Sequence, residues 1–280
     1  MGSRQFKTLV DVDTLARHLD DPHWVIVDCR FDLADTGAGR RAYQDAHIPG
    51  AVYADLDHDL SGPPLSDHGR HPMPSPAALI DTFRRLGITS ASQVVAYDDA
   101  AGAIAARLWW LLRYLGHTRV ALLDGGWQVW RESGLTSAGG VENCAAADFH
   151  GQPRARWLVT ATEVDQAPLL IDARAPERFR GEIEPLDPVA GHIPGAVNYS
   201  YALNLDRDGC FLPRTELRAR LLDVLGDTPV EETVFYCGSG VTACHNLLAL
   251  AHADLGAGRL YAGSWSDWCG DRSRPVARGT

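Results

Sequence analysis

The chain has 280 residues, 45% of them hydrophobic, with 26 Lys and Arg against 36 Asp and Glu for a formal net charge of −10. That apolar content fills one large core or two of ordinary size, so a soluble globular protein is expected. The negative balance and a pI near 5.5 argue against nucleic acid or an anionic membrane surface as partners, while a local basic pocket for a small anion stays open.

At the N-terminus, MGSRQFKTLV contains no apolar core of signal-peptide length, and the most apolar later stretch, Ile104 to Leu115, is broken by Arg107 and Arg113. A cytoplasmic protein is therefore expected. The first hydrophobic run, WVIVDCR, reads as a strand ending in Asp28 and Arg30. HIPGAV follows at 47 to 52, then a strand-like run VVAYDD at 94 to 99, a helix-like stretch, and LLDGGW at 122 to 127. Residues 133 to 153 are rich in Gly, Ala and small polar residues without periodicity, and read as a connection. The order then repeats: LLIDAR with Asp172 and Arg174, HIPGAV at 192 to 197, TVFYCG at 233 to 238, a helix-like stretch, and LYAGSW at 260 to 265.

Six identical residues recurring 145 positions apart, inside the same order of features, mark a duplication. The expected organisation is a first domain over 1–138, a linker over 139–155 and a second domain over 156–280. Short continuous apolar runs alternate with helix-length segments, which predicts an α/β fold: in each half a mostly parallel sheet flanked by helices. Ligands of such sheets bind outside the carboxyl ends of the strands, and this puts Asp98 and Cys237 at equivalent positions. Only Cys237 is a nucleophile.

TVFY reads as a buried strand and VTACHNLLALA as a helix, with Val241, Cys244, Leu248 and Ala251 broadly on one side, so CGSG is the turn between them. Its two glycines let the amides of Gly238, Ser239, Gly240, Val241 and Thr242 converge, and the helix adds its own unpaired N–H groups. Such a turn should hold the sulfur of Cys237 as an anion. Cys29, Cys144, Cys210, Cys244 and Cys269 lack that setting and are expected to be structural or incidental. A phosphatase of the Cys-x5-Arg kind would need an arginine at position 243, which is alanine. No paired metal-ligand spacing, zinc ligand set or glycine-rich nucleotide loop is present, so no metal or cofactor is implied.

Taken together, the two HIPGA segments, the Asp-x-Arg strand ends, the CGSGVTA loop and GSWSDW at 263 to 268 resemble the tandem-domain rhodanese-like sulfurtransferases, over nearly the whole chain. The resemblance implies two tandem rhodanese-like domains, the first non-catalytic with Asp98 at the nucleophile position. It also implies a two-step reaction in which Cys237 takes sulfur from a small donor, holds it as a persulfide and passes it to a thiol, thioredoxin or cyanide. Within the family, a Cys-Gly-Ser-Gly-Val-Thr loop is similar to those of 3-mercaptopyruvate sulfurtransferases, whereas enzymes using thiosulfate carry basic residues there. A dianion gains from added positive charge, so the neutral loop points to 3-mercaptopyruvate.

By the same resemblance, Arg178 matches an arginine that binds the donor carboxylate, with Arg180 as a helper. Many mercaptopyruvate enzymes carry a second arginine further along that loop; here PLDP, 185 to 188, has none. Ser239, His71 and Asp57 match a relay that polarises the donor carbonyl and protonates the departing enolate, with His68 a rival for His71 and Asp55 for Asp57. Arg30 and Arg174 are expected in structural ion pairs, and His47, His192, Trp127 and Trp265 in the fold. A thiosulfate:cyanide sulfurtransferase and a non-catalytic sulfur-relay module are the alternatives.

Overall fold

The computed structural model describes residues 5–63 and 69–280. The chain forms two compact units, the first taking Met1–Gly62, Pro74–Arg154 and Asp208–Cys210, the second Pro63–Met73, Ala155–Arg207 and Phe211–Thr280. Each exchanges a short piece with the other's half of the sequence. Residues 141–154 carry no helix or strand and run back along the first unit, where Phe149 is buried and Ala147, Gln152 and Arg154 donate N–H bonds to carbonyls of Arg84, Leu115 and Tyr114.

The first sheet contains β1 (Leu9–Val10), β2 (Trp24–Asp28), β3 (Val52–Tyr53), β4 (Gln93–Tyr97) and β5 (Val120–Leu123), in the order β1-β5-β4-β2-β3. The second contains β6 (Leu158–Val159), β7 (Leu169–Asp172), β8 (Val197–Asn198), β9 (Thr233–Tyr236) and β10 (Arg259–Tyr261), in the order β6-β10-β9-β7-β8. Every pairing is parallel. β4 and β9 are buried at every position, which is why their sequences run apolar without alternation. The helix after β9, Ala243–His252, is buried on nearly all sides, including His245 and Asn246. It is therefore a core helix rather than one with a single apolar face.

The repeated motifs meet in one lock per unit. Arg30 pairs with Asp28 at 2.6 Å and donates to the Ala46 carbonyl ahead of the first HIPG segment, also at 2.6 Å. Arg174 pairs with Asp172 at 2.6 Å and donates to the Gly191 carbonyl ahead of the second at 2.7 Å. In each unit the tyrosine ending the central strand closes the ring: Ile48 N–H donates to the Tyr97 hydroxyl and Ile193 N–H to the Tyr236 hydroxyl, both at 3.2 Å. Arg30 lies 4.6 Å from the Trp127 ring centroid and Arg174 lies 4.9 Å from that of Trp265. Both ion pairs are almost wholly buried, so losing one partner would leave an uncompensated charge in the core, at about 3–5 kcal/mol. These residues hold the fold, as expected.

Candidate active site

Cys237 follows β9 and opens the turn into helix Ala243–His252. It is 2% exposed, and its peptide is fixed by the Gly263–Ser266 segment. Its N–H donates to Ser264 Oγ at 3.1 Å, its carbonyl accepts from Trp265 N–H at 3.0 Å, and the Gly238 carbonyl accepts from Ser266 N–H at 2.9 Å. Gly240, at φ +76°, approaches Ala262 so closely that a Cβ would sit 2.3 Å from the Ala262 carbonyl oxygen; no other residue fits the turn there. Thr242 makes no side-chain cap on the helix. Among the described residues, the N–H groups of Gly238, Ser239, Val241 and Thr242 donate to no protein acceptor. Unpaired amides at the start of a buried helix favour negative charge, and the Cys237 sulfur is the group in this turn that can carry it.

The first unit fills the matching turn with its own side chain. Asp98, fully buried after β4, accepts Ala100 N–H (2.9 Å) and Gly102 N–H (2.8 Å) on Oδ1, and Ile104 N–H (2.8 Å) and Ala105 N–H (2.7 Å) on Oδ2. Burial pushes this carboxyl above its ordinary range, and the four amides oppose the push.

Two guanidinium groups reach the same glycine. A Cβ built on Gly238 would lie 3.1 Å from Nη2 of Arg70 and 3.5 Å from both Nη atoms of Arg178. Arg178 is held by Glu184 (2.7 Å) and Asp187 (3.3 Å), while Arg70 pairs with Asp187 from the other side. Glu184 also takes Arg174 at 3.2 Å, so a chain of alternating charges runs from the Asp172–Arg174 lock to the edge of the cysteine turn. Burial raises the Asp187 carboxyl above its ordinary range; Arg70 and Arg178 pull it down and Glu184 adds to the rise. Beside these groups, His71 Nδ1 lies 2.7 Å from Ser239 Oγ, with both residues buried.

A family model of the rhodanese-like domain matches residues 11–133 and again 155–271. The chain belongs to the rhodanese-like family. It is similar, at 50% identity over 279 residues covering 97% of this chain and 98% of the other, to a Pseudomonas aeruginosa protein described as a probable 3-mercaptopyruvate sulfurtransferase. At 42% identity over 264 residues, 91% of each chain, it is similar to a Mycobacterium tuberculosis protein provisionally named thiosulfate sulfurtransferase SseB. Among solved structures, a 3-mercaptopyruvate sulfurtransferase from Leishmania major matches with a TM-score of 0.84 and 32% identity, covering 96% of this chain and 76% of that one.

Of the site residues read from the rhodanese-like sequence, Cys237, Gly238, Ser239, Gly240, Val241, Thr242, Arg178 and His71 all come together in the second unit. Asp57 lies in the first unit, half-buried, where burial and then neighbouring Asp55 raise its carboxyl. Asp55 accepts the Asp57 and His58 N–H groups and so shapes its own turn. His68 lies outside the described residues. Arg180 turns away to an exposed pair with Glu182 at 2.7 Å. Burial pushes the Cys29 thiol well up and the Cys269 thiol to about 11, which suits a structural role for both.

Arg70 was missed by sequence reasoning. The signal was available in its neighbour: Gly69, at φ +76°, lies where a Cβ would come 2.7 Å from the Gly263 carbonyl and 2.8 Å from Ser266 Oγ, so GRH is the point at which this segment closes on GSWSDW. Arg70 N–H then donates to Ser266 Oγ at 3.1 Å, which fixes both Arg70 and His71. Among the described residues, no group of three or more His, Cys, Asp or Glu is placed to hold a metal, and no helix is long and apolar enough to cross a membrane.

Proposed function

We propose that this chain is a sulfurtransferase that moves sulfur from 3-mercaptopyruvate through Cys237 to a thiol, thioredoxin or cyanide. The observation that carries the reading is the Ser239–His71 pair, 2.7 Å apart and two residues from the nucleophile. The Cys237 sulfur attacks the donor sulfur, the S–S bond forms, and the C–S bond breaks with its electron pair going to carbon as pyruvate enolate. The proton needed to complete pyruvate comes from the donor thiol by way of the Ser239–His71 pair. Thiosulfate releases sulfite with no such proton demand, so a buried hydroxyl–imidazole pair fits the carbon donor better. Arg70 and Arg178 anchor the donor carboxylate, and the Gly238 to Thr242 amides steady the persulfide. In the second step the acceptor takes the outer sulfur and returns the Cys237 sulfur to its starting state.

Asp57 enters this proposal as the third relay member on its likeness to the family pattern. The first unit is non-catalytic in the same reading, because the Asp98 carboxylate already occupies its amides. A cytoplasmic location belongs to the proposal too, since turnover through a free cysteine needs a compartment that keeps thiols reduced.

The test is intact-mass measurement with a comparison of donors. One added sulfur, roughly 32 Da, is expected on treatment with 3-mercaptopyruvate, removed by cyanide over many turnovers, and absent from Cys237→Ser. A higher kcat/KM for thiosulfate would replace the reading with the thiosulfate enzyme, which the 42%-identical relative's name favours. A single turnover with no recycling would instead support a sulfur-relay module.

A further inference from the structure

We infer that Asp187 sets donor specificity, by holding Arg70 and Arg178 on one carboxylate so that the donor meets two hydrogen-bonding guanidiniums with little net positive charge. The inference rests on the sulfurtransferase reading above. Its basis is the composition of the charge chain beside the cysteine turn: Arg70, Arg174 and Arg178 are matched one for one by Asp172, Glu184 and Asp187. The Glu184 and Asp187 side chains are each 3% exposed, against 17% for Arg178 and 28% for Arg70. The carboxylates are therefore the more deeply buried partners, away from solvent screening, and the guanidiniums are the more exposed ones and the ones that reach Gly238. Glu184 is already shared with Arg174 and accepts the Leu186 and Asp187 N–H groups at 3.1 and 3.2 Å, so its charge belongs to the loop. Asp187 is the carboxylate bound to both guanidiniums that reach Gly238.

A carboxylate behind the anchor weakens every anion, but it weakens a dianion twice as much as a monoanion at the same distance. Mercaptopyruvate with its thiol protonated carries one negative charge and thiosulfate two. The planar forks keep their directional hydrogen bonds for a carboxylate, while the excess charge that a dianion would seek is cancelled. Asp187 acts through the arginines and is a positioning residue.

Steady-state kcat/KM for 3-mercaptopyruvate and for thiosulfate would be compared in wild type, Asp187→Asn and Asp187→Glu. The isosteric Asn variant is expected to raise the thiosulfate-to-mercaptopyruvate ratio about tenfold or more, with the change in KM rather than kcat, and Glu is expected to restore the wild-type ratio. An unchanged ratio, or an equal loss for both donors, would mean Asp187 is only structural. Should the Asn variant not fold, competition in the wild-type protein decides the matter: sulfate, a dianion shaped like the thiosulfate end, is expected to inhibit more weakly than pyruvate, and stronger inhibition by sulfate overturns the inference. If the wild-type protein gains no sulfur from mercaptopyruvate, the sulfurtransferase reading itself fails. Sulfur gain with an unmoved ratio sinks only the role of Asp187.

Discussion

Asp98 and Cys237 stand at matching strand ends, and each offers its carbonyl to the N–H of a tryptophan just beyond the next strand in sequence: Trp127 at 2.8 Å and Trp265 at 3.0 Å. The two backbones are held alike, and the side chains decide what the turns can do. A carboxyl takes four amides in the first unit, while in the second a cysteine stands at that place. Duplication has left one turn closed by its own carboxyl and the other with a thiol in that place.

Replacing Asp98 by Ala should therefore destabilise the protein without removing the nucleophile. Four buried N–H groups would lose their acceptor, and each unsatisfied buried donor costs about 1–3 kcal/mol before relaxation or water entry. Urea unfolding is expected to show a loss of about 3 kcal/mol or more, with persulfide formation per folded molecule retained. A variant as stable as wild type would show that these bonds hold nothing.

Ser239→Ala tests the proton relay. With 3-mercaptopyruvate as donor, turnover should fall about a hundredfold or more, the usual size of a general-acid contribution. Thiosulfate turnover should be unaffected, since sulfite leaves without a proton. An equal loss with both donors would assign the hydroxyl to the shape of the turn.

Ser264 is buried at φ +57°, a left-handed conformation that Gly126 adopts in the first unit at φ +58°. Its hydroxyl accepts from Cys237 N–H and donates to the Tyr261 carbonyl at 2.9 Å, which offsets the strain of a side chain there. Ser264→Ala keeps the strain and loses both bonds, whereas Ser264→Gly loses the bonds and relieves the strain. Thermal or urea unfolding should place the Ala variant below the Gly variant by about 1 kcal/mol. The reverse order would deny the strain.

Burial, and then repulsion from Arg214, lower the His252 imidazole from 6.5 to about 4, with Asp254 opposing. Between those values the unfolded chain binds the proton and the folded one resists it, so this histidine favours folding above about pH 6.5 and ceases to do so as the pH falls toward about 4. Stability curves from about pH 5 to about pH 7 should rise less steeply in His252→Gln than in wild type. Parallel curves would mean the ring is as easily protonated in the fold as outside it.

Much of this protein is set by local sequence. Continuous apolar runs that fit only strands buried on both faces, a repeated Asp-x-Arg and HIPG, and a cysteine followed by two closely spaced glycines specify two parallel sheets and the turn at Cys237, because each depends on backbone conformation and burial within a few residues. What stands opposite that turn is decided by folding alone. Arg70 and His71 belong by sequence to the first half but close on Ser266 and Ser239 of the second unit, and Asp187 meets Arg70 across 117 positions. Such pairings follow from the path of the chain through space, where glycine-permitted close approach at Gly69 and buried charge neutralisation at Asp187 act at separations that no sequence periodicity encodes.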